Sequence, residues 1–350
     1  MQDNVRNFLS SQWPGAEISV SDFAVIAGGY SRETYRFDAK VVRAGQSELH
    51  PMILRKDPPP AAAILGSDRQ LEHDLITAVK QHTTIPVPGC YFVANDPSHF
   101  GEKAMVIERV RGSGAPSALF HGGPAEDQAE SVATELCEYI AQLHMTDPKL
   151  LNPDGRLDDP RNEGIDPSTW DRYIDTTCEY YLRGYEDIRF DPFPYWLDAL
   201  LWLRRNKPKP VPIRLCHGDF NPSNFLYEDG HVTCLIDWEN ARMGDPREDL
   251  GWMAQMDLLS NTNIMGSVKA DGGFLGHYNK ITGFDVTPEE LEYFRIFTAG
   301  NVGTPVGAAV KRRMVKEHMQ TMHMYIFQPF LVSFYAMAGM MKYPMPTGAA

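Results

Sequence analysis

From Leu215 to Trp238 the chain reads LCHGDFNPSNFLYEDGHVTCLIDW: an irregular polar loop, then two short apolar runs around a turn. Asp229-Gly230 between Leu226 and Val232 is a strong hairpin signal, so Phe225–Leu226 and Val232–Ile236 should pair as strands. The loop supplies Asp219 and, five residues on, Asn224; the second strand delivers Asp237. A short hairpin allows Asn224 before it and Asp237 after it to converge on one ion. Asp219, on the loop ahead of the first strand, can face an incoming hydroxyl. One group to receive a hydroxyl proton and two hard oxygen ligands for magnesium form the set that phosphoryl transfer needs. Asp and Asn also stabilise turns, but the His-Gly-Asp start, the amide, the hairpin and the Asp-Trp end together go well beyond turn use.

The spacing H-x-D-x-x-x-x-N followed by an apolar strand and Asp is that of kinase catalytic loops. The segment 217–252, HGDFNPSNFLYEDGHVTCLIDWENARMGDPREDLGW, closely resembles the aminoglycoside phosphotransferase-like family, also called the choline kinase-like or phosphotransferase enzyme family. The resemblance implies an α+β, protein kinase-like two-lobed fold, with a small antiparallel-sheet N-lobe and a larger, mainly helical C-lobe. It also implies ATP and Mg2+ as cofactors, Asp219 as catalytic base, Asn224 and Asp237 as magnesium ligands, and His217 as a residue that orders the loop. Gly244-Asp245-Pro246 with Asp249-Leu250 matches the family too, where the later Asp braces the catalytic loop.

Near the N-terminus, Gly28-Gly29-Tyr30-Ser31 is followed by alternating apolar and polar residues, which suits a strand–turn–strand whose tip covers phosphates. The form Gly-Gly-x-Ser-x-x-Thr resembles the phosphate loop of this family, especially of members encoded or fused with acyl-CoA dehydrogenases, with Ser31 and Thr34 as hydroxyl contacts. Pro51–Lys56 reads as the strand carrying a phosphate-binding cation. Met52-Ile53-Leu54-Arg55 sets arginine where Val-Ala-Ile-Lys of protein kinases has lysine; relatives in the same branch tend to share it. Arginine binds phosphate bidentately and is always charged. Lys56 competes for the role but points to the other face of the strand. A helix over 68–79 should bring an acid to that cation. Glu72 and Asp74, two residues apart, cannot both face it, and the longer Glu72 is the expected partner. Backbone groups from Glu108 to Val110 would meet the adenine edge.

Residues 1–112 are expected to form the N-lobe and 113–350 the C-lobe, with linker composition at Arg111–Pro116. Val132, Leu136, Tyr139, Ile140 and Leu143 give one helical stripe ending at His144, a structural hydrogen bonder on this reading. Aromatic residues cluster at 180–196. Eleven of sixteen methionines lie between Met253 and Met345, suiting an adaptable apolar acceptor pocket or simply a helical core. Lys311-Arg312-Arg313 reads as a solvated basic turn. A net charge of −13 argues against a nucleic-acid partner. Five scattered cysteines without metal spacing, and a start that lacks signal-peptide layout, suggest reduced thiols and a cytoplasmic setting. The stretch 325–341 is interrupted by Gln328, Pro329 and Ser333 and reads as a core helix, so no membrane partner is expected. The expectation is a kinase moving the ATP γ-phosphoryl group to a hydroxyl of a small, partly apolar molecule such as a hydroxy acid, its thioester or an alcohol. An aminoglycoside kinase and a regulatory pseudokinase are the alternatives, and the oligomeric state is open.

Overall fold

The computed structural model describes residues 1–26, 33–59, 63, 66, 68–188 and 194–300, without the side chains of 187–188 and 194–195. Gly28, Gly29, Ser31, Phe190, Phe193, the 311–313 basic triplet and the 325–341 stretch lie outside these residues. The chain forms two compact units, and the first gathers Met1–Ser113, Phe225–Glu228 and Val232–Glu239.

The first unit is built on an antiparallel sheet of β1 (Glu17–Val25), β2 (Glu33–Arg43), β3 (Gln46–Lys56), β4 (Cys90–Ala94) and β5 (Ala104–Glu108), in the order β1-β2-β3-β5-β4. Alternation decides its faces. Phe37, Ala39 and Val41 of β2 and Met52 and Leu54 of β3 are buried against Val5, Phe8 and Leu9 of helix α1 (Gln2–Gln12). The residues between them, Thr34, Arg36, Asp38, Ile53 and Arg55, therefore stand on the opposite face. Ala44-Gly45, both with positive φ (49° and 79°), makes the tight turn that sets the β2–β3 register. Helix α2 (Arg69–His82) starts where the Asp68 carboxylate caps the amides of Gln70 and Leu71.

The hairpin of β7 (Phe225–Glu228) and β8 (His231–Leu235) packs as part of this unit, although a division of the sequence at residue 112 leaves it with the second half. The reason lies in its hydrogen bonds. Ser113 and Tyr227 exchange N–H to C=O bonds of 2.7 and 3.1 Å, Thr233 Oγ1 donates to the Arg111 carbonyl, and the Leu235 amide donates to the Pro86 carbonyl. Its turn is Asp229-Gly230, again with two positive φ values, 50° and 81°.

The second unit holds Gly114–Asn224, Asp229–His231 and the described residues from Asn240 on. It contains α3 (Ala129–Met145), α4 (Pro148–Leu151), α5 (Trp170–Ile188), α6 (Pro194–Arg205), α7 (Arg247–Leu259), α8 (Ile264–Ser267), α9 (Phe274–Thr282) and a helix beginning at residue 288. Between them β6 (Arg214–Cys216) and β9 (Arg242–Gly244) pair antiparallel. An aromatic core joins α5, α6 and the helix from 288: Tyr173, Tyr181, Trp196, Tyr293, Phe294 and Phe297 are all buried. Two members of the 180–196 aromatic run, Tyr181 and Trp196, are therefore core, while Tyr180 is only partly buried. Gly251 on α7 sets how close two helices come, since a Cβ there would lie 2.6 Å from the Phe294 carbonyl carbon. No helix among the described residues is long and apolar enough to cross a membrane.

Candidate active site

The loop carrying Asp219 begins where β6 ends, and it is held from below by one carboxylate. Asp249, one turn into α7 and fully buried, accepts the amide of His217 at 2.7 Å on Oδ2 and that of Gly218 at 2.9 Å on Oδ1. Its Oδ2 also meets Nε2 of buried His144 at 3.1 Å, whose Nδ1 lies 2.8 Å from the Tyr278 hydroxyl. Burial alone would raise the Asp249 pKa, but the bond to His144, the two imidazoles and the Gly218 amide outweigh it and hold the carboxyl below its ordinary range. Cys216, His144 and Asp249 offer metal-capable atoms within 4.8 Å of one another. Both His144 nitrogens and both Asp249 oxygens are already hydrogen-bonded, so the trio is a brace. Gly218 is required by its surroundings: its φ is 78°, and a Cβ would sit 2.1 Å from the Asn240 carbonyl oxygen. His217, also buried, receives the Asp219 amide on Nδ1 at 3.3 Å.

Asp219 itself is set by three side-chain donors of the second unit. Asn221 Nδ2 reaches Oδ1 at 2.8 Å, Asn224 Nδ2 reaches Oδ2 at 2.8 Å, and the Trp252 indole N–H reaches Oδ1 at 2.7 Å. Asn224 Nδ2 also donates to the Asp219 carbonyl at 2.9 Å. With its NH2 group turned toward Asp219, the amide of Asn224 presents its oxygen elsewhere.

In the first unit, Arg55 is the centre of a charge cluster. Register sets it opposite Thr34, and sets Lys56 opposite Glu33. The two cations accordingly separate: Lys56 pairs with Glu33 at 2.8 Å on the α1 face of the sheet. Arg55 donates from one nitrogen to Glu72 Oε1 at 2.7 Å, and from the other to Asp237 Oδ1 at 2.5 Å, with Glu239 3.6 Å away. Asp74 is turned instead to Gln70 and His73. The second oxygen of Glu72 is taken by fully buried Arg69, which Asp57 holds at 2.7 Å. Burial works against the Arg55 charge, but Glu72, Asp237 and Glu239 more than compensate and hold its pKa above the ordinary value. Asp237 has φ 69°, a positive value uncommon for a non-glycine residue.

The strand end at 108–110 has a defined polarity. The Glu108 amide donates to the Gly89 carbonyl at 2.7 Å and the Arg109 amide to Pro51 at 3.0 Å. Bonded to Gly89, the Glu108 amide faces away from β3, whereas the Arg109 amide, bonded to Pro51, faces toward it. The Glu108 side chain accepts the Gly89 amide at 2.9 Å, and Arg109 reaches back to Asp38 at 2.6 Å and Asp22 at 3.2 Å.

The model of the phosphotransferase enzyme family matches residues 22–289. The chain belongs to that family. Its curated relatives include "Probable acyl-CoA dehydrogenase IBR3" of Arabidopsis thaliana, 23% identical over 268 residues that cover 75% of this chain and 31% of that protein. Acyl-CoA dehydrogenase family member 11 of Gallus gallus is 27% identical over 264 residues, 73% of this chain and 30% of that one. The chain thus spans about a third of the length of these relatives. Among solved structures, a protein of Ralstonia eutropha JMP134 described as an aminoglycoside phosphotransferase superposes with a TM-score of 0.67 at 18% identity, over 99% of both chains. The aminoglycoside phosphotransferase APH(4)-Ia, in a ternary complex with ADP and hygromycin B, gives 0.61 at 14% identity, also over 99% of both chains. These likenesses show the protein kinase-like α+β fold.

Asp237 in the first unit offers a carboxylate oxygen and Asn224 in the second an amide oxygen, both of the hard type that magnesium takes, and Asp237 faces a guanidinium that a bound cation would compete with. Several side chains of the two clusters carry no signal of their own in the sequence: Trp252 and Asn221 on the Asp219 carboxylate, and Arg69, Asp57 and Glu239 around Arg55. Two left a trace. Arg69 precedes Glu72 by three residues and Trp252 follows Asp249 by three, the spacing that puts helical side chains on one face.

Proposed function

We propose that the protein transfers the γ-phosphoryl group of ATP to a hydroxyl of a small, partly apolar molecule, such as a hydroxy acid, its thioester or an alcohol. Asp219 receives or orients the hydroxyl proton as the acceptor oxygen bonds to the γ-phosphorus and the β–γ bridging bond breaks to release ADP. Asn224 and Asp237 serve as oxygen ligands to magnesium, which when bound neutralises charge on the phosphate oxygens. Arg55, steadied by Glu72, holds the α/β-phosphates, with Thr34 beside it and Gly28, Gly29 and Ser31 covering them. The Glu108 carbonyl and the Val110 amide meet the adenine edge, because the 108 and 109 amides are already bonded within the unit. His217 orders the loop.

The observation that carries this reading is the Asp219 carboxylate fixed by Asn224 on a loop that Asp249 clamps. The acyl-CoA dehydrogenase names of the relatives favour an acyl-type acceptor; the hygromycin-bound structure keeps an aminoglycoside as the second candidate. An ADP-release screen over hydroxy acids, amino sugars and alcohols separates the two. Asp219→Ala should abolish turnover while leaving Mg-ATP binding within a few-fold of wild type, and retained turnover would remove Asp219 from the reaction. Asp237→Ala should lose magnesium-dependent ATP binding in a titration; unchanged affinity would count against its role.

A further inference from the structure

We infer that Trp252 is a positioning residue for the base: its indole N–H fixes the orientation of the Asp219 carboxylate. This inference rests on the role proposed above for Asp219. The Nε1–Oδ1 distance is 2.7 Å, at the short end for an N–H to oxygen bond. Oδ1 takes a second donor, Asn221 Nδ2 at 2.8 Å, so this oxygen is tied down from two directions. The indole is rigid and partly buried, and it comes from the helix that already holds the loop. Asp249 and Trp252 are three residues apart on α7, so one helix face grips the loop twice: at the 217 and 218 amides, and at the 219 side chain.

A carboxylate held by an N–H keeps one rotamer, and preorganised groups of this kind save the cost of orienting at the moment of reaction.

The test is uncoupled hydrolysis of Mg-ATP, with water as acceptor, in wild type, Trp252→Phe, Trp252→Leu and Asp219→Ala. Whichever Trp252 variant keeps the affinity and stoichiometry of Mg-ATP binding within twofold is the one read. The expected result is a roughly tenfold fall in kcat with KM for ATP unchanged. A merely structural role would lower the binding stoichiometry or raise KM. A kcat within twofold of wild type, a raised KM, or loss of nucleotide binding in both variants overturns the inference while leaving the proposed reaction standing. Hydrolysis that survives in Asp219→Ala, or is absent from wild type with water and with every acceptor of the screen, overturns the reaction and this inference with it.

Discussion

At Asp249 a single buried carboxylate answers two backbone amides and an imidazole, and its worth follows from that count. Asparagine in its place would offer one oxygen and turn an N–H2 toward a donor. Hydrogen bonds to a charged group contribute more than neutral ones, so Asp249→Asn should cost about 2–4 kcal/mol in urea unfolding. The pH dependence has a definite sign. The folded pKa of Asp249 is lowered, so its contribution is present above the unfolded value and is lost as pH falls through the folded one. Between about pH 5 and pH 2 the variant's stability should fall less steeply than that of wild type. A steeper fall would show that another group governs acid unfolding. Residues 217–219 and 224 could be read from spacing because a loop needs particular side chains at fixed offsets. The tryptophan that completes the Asp219 environment arrives from 33 residues further on, and nothing in local periodicity marks an indole that hydrogen-bonds from one that only packs.

Helix α2 and the end of strand β3 are joined by a run of charges, Arg55–Glu72–Arg69–Asp57, two members from each side of the connection. Amphipathic spacing was enough to locate the helix, and side-chain length to favour Glu72 over Asp74. It could not show that both Glu72 oxygens are claimed, since that depends on where Asp57 leaves the strand. Removing one member of such a cluster strands the others. Arg69→Met should destabilise by about 3–5 kcal/mol, because Asp57 and Glu72 keep their burial and lose a counter-charge. Thermal melting checks this, and a change under 1 kcal/mol would mean that solvent already shares the load. The same alternation explains why Lys56 pairs with Glu33 rather than joining the cluster: one residue along a strand means the other face.

Over the whole molecule, the fold class followed from the family resemblance carried by segment 217–252, while local signatures such as Asp229-Gly230 marked single elements. Packing was less accessible: which aromatic residues form the core depends on how α5, α6 and the helix from 288 meet. Burial also sets the chemistry of the thiols. It pushes Cys90, Cys137, Cys178 and Cys234 up to about 12, and Cys216 well above its ordinary value. At pH 8 the native protein should therefore be nearly inert to a disulfide-exchange reagent, with half-buried Cys90 reacting first, and all five thiols should titrate once it is unfolded. Rapid labelling of several thiols in the native state would contradict the burial. The passage of the hairpin into the first unit has a practical consequence for recombination between relatives. Exchanging that unit takes three crossovers, after 113, before 225 and after 239, because its inheritance is split across the gene. A chimaera joined only at 113 would mate one parent's sheet with the other parent's Asp237 and Glu239, leaving Arg55 to partners it did not evolve beside.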